Sequence, residues 1–235
     1  MNTVNYSTSR ATYRHGDLRR TLIGIGVELA ADGGPDAVVL REAARRAGVS
    51  ASAAYRHFAN QKELLAEVRN EVLDLLARSI GSAVDRLPDA ASARERLAAA
   101  GHAYFDFAVH HRDHFACLID AVPLGSATVS TSHEDPLTLL RALVTAARAD
   151  ASAVAPQGRC DGATIHSEMR PDTVDDDHAD PDTVDPDLVA LWAPIHGAAV
   201  LCSVGALSRL PSSSHAACFE ATLATALRGF LGPRH

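Results

Sequence analysis

The side chains of this 235-residue chain best placed to do chemistry lie between Leu40 and Lys62. Ser50, Ala51, Ser52, Ala53, Tyr55, Arg56 and His57 form a run of small, polar and cationic groups. Arg41 precedes the run and Lys62, the only lysine, follows it. Such a run suits a groove better than a core. Guanidinium and ammonium groups pair with phosphate, hydroxyls reach phosphate or base edges, and alanine methyls make apolar contact with thymine methyls. The chemistry on offer is non-covalent recognition of duplex DNA.

The elements that would present this run can be read around it. Ala43, Ala44 and Ala47 give one helix a small-residue face that another helix can approach closely. Gly48 follows the last periodic residue, where the chain must turn and a positive φ is often needed. Val49 reads as a buried plug and Ser50 as the N-cap of a second helix over 51–57. Two short helices joined this way make a helix-turn-helix, whose second helix enters the major groove. Alanine-rich hairpins with a glycine in the turn also occur in all-α proteins that never touch DNA, so the flanks decide.

Those flanks resemble the tetracycline-repressor (TetR) family of transcriptional regulators over roughly residues 13–70. Tyr13 to Leu22 is similar to the start of the family's first helix and leads into Ile25, Leu29 and Ala30, a helical face closed by Gly33-Gly34. The order Gly48-Val49-Ser50, then Tyr55 and Phe58, then Asn60 and Glu63-Leu64-Leu65 resembles the end of the family's recognition helix and the start of its fourth. There are departures: Val38-Val39 stands where the family usually has Thr, and Gln61 where it has Lys. Further on, Trp192 with His196-Gly197 is similar to the W-x3-H-G pattern of a C-terminal subgroup, with Pro194 between them as a departure. His110 to Phe115 resembles a turn of the family's ligand-binding half, with Arg112 where Pro is usual. The resemblance implies a ligand-responsive regulator, usually a repressor. It would be a homodimer reading a palindromic double-stranded operator and released by a small-molecule effector.

Beyond the head, Asn60 caps a helix expected over 61–79, with Leu64, Leu65, Val68, Val72, Leu75 and Leu76 at helical spacing. A break or a tapering end is expected over 81–88, with further helices at 91–111, 135–149, 186–208 and 214–231. Residues 150–187 hold 11 acidic residues against Arg159 and Arg170, with four prolines. Within them Pro171-Asp-Thr-Val-Asp175 recurs as Pro181-Asp-Thr-Val-Asp185. A segment of that composition buries too little apolar surface to offset its ordering entropy, and reads as a mobile insert. The expected fold class is all-α. A flexible arm (1–14) would carry Arg10 and Arg14 toward phosphate or minor groove, followed by a three-helix helix-turn-helix domain (15–62). A larger helical ligand-binding and dimerisation body (63–235) would contain the acidic insert 150–187. Leu188, Leu191, Val200, Leu201, Val204, Leu207, Leu223, Leu227 and Phe230 make the last two helices apolar enough for two-fold packing.

Most of the body's aromatic groups, in a chain only 5% aromatic, gather in two segments. Tyr104, Phe105, Phe107, His111, Phe115, Cys117, Trp192 and His196 are therefore the candidate ligand-binding set, a mostly apolar surface with sparse polar groups. An apolar or aromatic effector follows. The competing role for each residue is core packing, and for His196 an interhelical hydrogen bond. His110, His111 and His114 with Asp113 invite a metal, but a metal sensor commits a tighter set with Cys or carboxylates, so no metal is expected. G-x-S-x-G, glycine-rich phosphate loops and H-E-x-x-H are absent from the sequence, and Asp-rich 172–187 lacks the alternating ligands of a calcium loop. No catalytic residue, enzyme activity or cofactor is expected.

Charge divides with the domains. Residues 1–78 carry 11 Lys and Arg against 9 Asp and Glu, a net +2, and the remainder carries 11 against 20, a net −9. Arg45 and Arg46 join the residues above as candidates for phosphate, where local neutralisation rather than total charge sets affinity. No apolar leader follows the polar opening, and residues 191–207 fall short of the roughly 18 apolar residues of a spanning helix. The chain is expected in the cytoplasm, without a membrane partner and with its four cysteines as free thiols. The rival from another class is a helical binding or scaffold protein that has lost specific DNA readout, with the small residues at 51–54 as its support.

Overall fold

The computed structural model describes residues 18–119, 136–154 and 185–231. Among them run nine α-helices and no strand: α1 Leu18–Ala37, α2 Leu40–Arg46, α3 Ala51–Ala54, α4 Gln61–Asp85, α5 Ala93–His110, α6 Arg112–Ile119, α7 Pro136–Val154, α8 Pro186–Ser203 and α9 Ser212–Leu231. The arm expected over 1–14, with Arg10 and Arg14, lies outside the described residues, as do 155–184 of the expected insert.

The head forms because α1 to α3 and the start of α4 each turn an apolar stripe to one centre. Leu22, Ala30, Val38, Leu40, Ala43, Ala54, Phe58 and Leu64 are all buried there. Small residues let the helices meet closely: a Cβ on Gly26 of α1 would stand 2.5 Å from Val68 Cγ2 of α4. α1 is interrupted at the paired glycines. Gly34 has φ 67 and ψ −159, a backbone that residues with side chains rarely adopt, and Pro35 starts the chain again with its fixed φ. Asn60 accepts from the Glu63 N–H and Ser92 caps α5 reciprocally with Glu95, so both long helices begin on satisfied donors.

Several boundaries differ from the sequence expectation, each for a local reason. α4 does not stop near 79 but runs to Asp85. Gly81 costs it about 1 kcal/mol relative to alanine, and burial of Ile80 and Val84 on the stripe begun by Leu76 offsets that. The second helix of the helix-turn-helix, α3, ends at Ala54 rather than at 57. The chain then tightens: the Arg56 and His57 N–H groups donate to Ala53 and Ala54 carbonyls at 3.3 and 2.9 Å, which brings Phe58 into the core. α7 continues to Val154, taking in the first residues of the stretch read as irregular. α8 ends at Ser203 rather than 208. Gly205 donates to the Val200 carbonyl at 2.8 Å, and a Cβ there would sit 2.8 Å from Leu201 Cα, so the chain folds back at the only residue small enough.

The body is built around α5, which packs on α4, α6, α7, α8 and α9, while α8 and α9 form a helical hairpin. α6 lies at the junction, in contact with both α1 and α4 of the head side and α5 and α8 of the body.

Candidate nucleic-acid face and body cavity

The turn between α2 and α3 is closed by Gly48 at φ 71, with its N–H donating to the Arg45 carbonyl at 3.2 Å and that of Val49 to Ala44 at 3.0 Å. Ser50 Oγ accepts the Ala53 N–H at 3.2 Å, as an N-cap should, and lies 3.0 Å from Ser52 Oγ. On this frame Ser50, Ala51, Ser52, Tyr55 and Arg56 are exposed, Ala53 and His57 are half-buried, and Ala54 is fully buried. Ala54 is therefore a packing residue and not part of any contact face. Tyr55 is 45% exposed, one of the few large apolar groups turned to solvent.

The cations sort into two sets. Arg45 reaches Glu42 with Nε and Nη2 at 2.8 and 2.7 Å, and Arg46 bonds Glu42 at 3.2 Å and Asp32 at 3.4 Å. The Arg45 hydrogen bonds, more than Arg46, hold the Glu42 carboxyl down to about 2. These two arginines brace the head, and their availability to phosphate is reduced accordingly. Arg41, Arg56 and Lys62 are exposed and make no ion pair among the described residues. Arg19, which sequence reasoning passed over, pairs with Glu67 at 3.0 Å and lies 4.7 Å over the Phe58 ring. It fixes α1 to α4 and to the end of the α3 turn.

In the body, Ile80, Leu97, Ala100, Gly101, Tyr104, Leu140, Leu143, Leu191, Trp192 and Ile195 enclose an apolar cavity of about 60 Å³ between α4, α5, α7 and α8. Tyr104 and Trp192 of the sequence-derived set line it. His196 stacks on Trp192 with centroids 4.3 Å apart and planes 18° apart, and its Nδ1 is 2.6 Å from the Tyr104 hydroxyl. Phe115 of α6 meets the Tyr104 ring edge-on at 5.7 Å and lies 6.1 Å from His196. Burial lowers the proton affinity of His196 and raises the Tyr104 hydroxyl, so both are neutral near pH 7.

The remaining members of the set are elsewhere. Phe105 stacks on Phe219 of α9 at 4.1 Å, away from the cavity. Phe107 and His111 pair at 5.0 Å at the end of α5, where burial first, then His114 and His110, lower His111. Cys117 is buried, its thiol pushed up to about 11 chiefly by that burial, and its Sγ donates to the Asp113 carbonyl. The cavity's aliphatic walls were missed because Ile80, Leu140 and Leu143 carry no signal that separates a cavity wall from ordinary core. Among the described residues no group of three or more His, Cys, Asp or Glu could hold a metal. His114 Nε2 donates instead to the Val27 carbonyl at 3.0 Å, and His110 Nδ1 to that of Asp106 at 2.8 Å.

α6 connects the two regions. One face carries Phe115 against Tyr104 and His196. The others carry His114, bonded to Val27 of α1, and the Cys117 carbonyl, which accepts from Arg69 Nε of α4 at 2.9 Å. Among the described residues no helix is long and apolar enough to cross a membrane.

Residues 97–226 match the family description "Tetracyclin repressor-like, C-terminal domain", and residues 22–68 match "Bacterial regulatory proteins, tetR family". No curated protein matches the chain. A protein of unknown function from Rhodococcus sp. RHA1 is 26% identical with a TM-score of 0.62, over 94% of this chain and 98% of that one. A structure described as a tetR family transcription regulator from Shewanella sp. PV-4 is 13% identical with a TM-score of 0.53, over 88% of this chain and 97% of that one, and shares the fold.

Proposed function

Because this chain belongs to the tetracycline-repressor family of DNA-binding transcription regulators, we propose that it is a repressor released from its operator by a small apolar or aromatic effector. On this reading it acts in the cytoplasm as a homodimer. Two heads (15–62) meet successive major grooves of a palindromic operator, and the exposed faces of α8 and α9, around Ala190, Pro194, Thr225 and Gly229, pack against a second copy. Arg41, Arg56 and Lys62 neutralise phosphate, with Arg10 and Arg14 of the arm, while Tyr55, His57 and α3 face the groove. The effector enters between Tyr104, Trp192 and the aliphatic walls of the cavity. The W-x3-H-G pattern enters this proposal as the stacked Trp192–His196 pair, the polar edge of that site.

The observation that carries ligand responsiveness is the contact chain from cavity to head. Tyr104 lines the cavity, bonds His196 and touches Phe115, and α6 is bonded in turn to α1 and α4. A ligand that shifts Tyr104 or Trp192 pushes on an element the heads share, which gives a coupling free energy between two sites. At about 60 Å³ the cavity is smaller than the roughly 300 Å³ of ordinary ligand sites, so binding requires Leu140 and Leu143 of α7 to move outward.

The test uses a compound panel read by melting temperature, since a ligand that binds the folded chain raises it. Trp192 is the only tryptophan, so its emission reports on the site alone. A hit should shift that emission and release a selected operator duplex over one concentration range. Operator release with no change in Trp192 emission would place the effector elsewhere. If only strongly polar compounds act, the apolar assignment fails.

A further inference from the structure

The N-terminal residues of a recognition helix are those that meet base edges in the major groove. In this head they are Ser50, Ala51 and Ser52, all exposed. The two hydroxyls are partly engaged: Ser50 accepts the Ala53 N–H at 3.2 Å and lies 3.0 Å from Ser52 Oγ, a hydrogen bond that uses one of the two hydroxyl protons. No residue from Ser50 to Ala54 is Arg, Lys, Asn or Gln, the side chains that grip guanine or adenine through two hydrogen bonds. Arg56 lies past the end of α3, in the turn leading to Phe58. Of the three residues at the start of α3, Ala51 is the one that offers the groove a methyl. Its partner on a base edge is the C5-methyl group of a pyrimidine.

We propose that this head reads pyrimidine C5-methyl groups through Ala51, so that 5-methylcytosine can replace thymine at that position of the half-site. The proposal rests on the DNA-reading role of α3 and deepens it. A cytosine·guanine pair presents an N4 donor where thymine presents an O4 acceptor, and a protein reading hydrogen bonds would reject the exchange. A protein reading only the methyl accepts it, and cytosine methylation then becomes a signal the regulator senses.

The experiment starts from duplexes that the full-length protein selects from a random-sequence library. Each thymine of the half-site is replaced in turn by deoxyuridine, which removes one methyl and nothing else. At one position, altered symmetrically in both half-sites, affinity should fall about fourfold per methyl, roughly fifteenfold in all. At the same position a cytosine·guanine pair should bind weakly and a 5-methylcytosine·guanine pair should recover most of the loss. Ala51→Gly and Ala51→Ser should each remove the deoxyuridine penalty while melting near wild type, the double-mutant signature of a direct contact. Equal affinity for thymine and deoxyuridine at every position overturns the proposal, as does a full deoxyuridine penalty in both Ala51 variants. Failure to select any duplex would instead sink the DNA-reading role beneath it.

Discussion

Tyr104→Phe removes one oxygen and leaves the rest of the site in place. The ring still lines the cavity, and its edge-on contact with Phe115 at 5.7 Å is kept. What goes is the 2.6 Å hydrogen bond to His196 Nδ1, leaving the nitrogen of a half-buried imidazole without its partner. A hydrogen bond of this kind contributes about 1 kcal/mol net, and somewhat more when one partner stays behind buried. For a chain of this size that is a fall in melting temperature of roughly 2–4 °C. Operator affinity without effector should stay at the wild-type value, because no contact between α6 and α1 or α4 is altered. Induction should change, since Tyr104 is where a ligand in the cavity meets the residue that touches α6. The assay pairs a melting curve, followed through Trp192 emission, with an operator-release titration followed on a labelled duplex. The reasoning is refuted if the variant releases operator at the wild-type effector concentration, or if it loses operator affinity before any effector is added.

Other outcomes follow from single features. Tyr55→Ala should abolish operator binding with a melting curve within about 0.5 kcal/mol of wild type, because the ring is 45% exposed; unfolding instead would make Tyr55 a packing residue. A plot of log affinity against log salt should have a slope of roughly −5 for a dimer using Arg41, Arg56 and Lys62 twice, and a steeper one if the arm adds Arg10 and Arg14; a slope unchanged on deleting residues 1–12 would exclude the arm. Light scattering should give a dimer at micromolar concentration, and a monomer would sink both the α8–α9 interface and the palindrome. Burial lowers His196, so below pH 6.5 the unfolded chain binds that proton more readily than the folded one. Stability should therefore fall as pH falls there, and fall less steeply in His196→Gln, since His111 is lowered in the same way and still contributes, while His102, raised by Glu220 against its own burial, works in the opposite direction.

What the sequence revealed divides along a physical line. The helix-turn-helix was legible because its parts are local: Gly48 turns the chain, Ser50 and Asn60 cap the next helices, and Phe58 anchors the end of the turn. Helix ends were less legible where burial outweighs propensity, as at Gly81, or where a backbone contact between distant atoms decides, as at Gly205. The cavity was half legible. Trp192, His196, Tyr104 and Phe115 are rare residue types in an alanine-rich chain and draw the eye, and they do meet. Phe105 is just as conspicuous yet one residue round the helix from Tyr104, which is enough to send it to Phe219. The charged residues behaved likewise. Arg45, Arg46 and Arg56 look alike in sequence, and only the positions of Glu42 and Asp32 separate those that brace the head from the one left open.

The small volume of the cavity bears on how such a regulator would respond. A compound that does not fit the closed arrangement has almost no affinity for it, so nearly all its binding energy selects the opened one. The preference that allostery requires is then supplied by size exclusion, with no dedicated sensing group needed. Apparent affinity is reduced by the fraction of molecules already open, and a substitution that loosens α7, such as Leu143→Ala, should tighten effector binding while costing stability. Release of the operator still depends on α6 differing between the two arrangements. Phe115 packs on Tyr104 and His196, while Arg69 and His114 tie the same helix to α4 and α1. Opening by α7 alone would leave Tyr104, Phe115 and both head contacts in place, so release requires that the effector also displace Tyr104, itself a wall of the space that must enlarge.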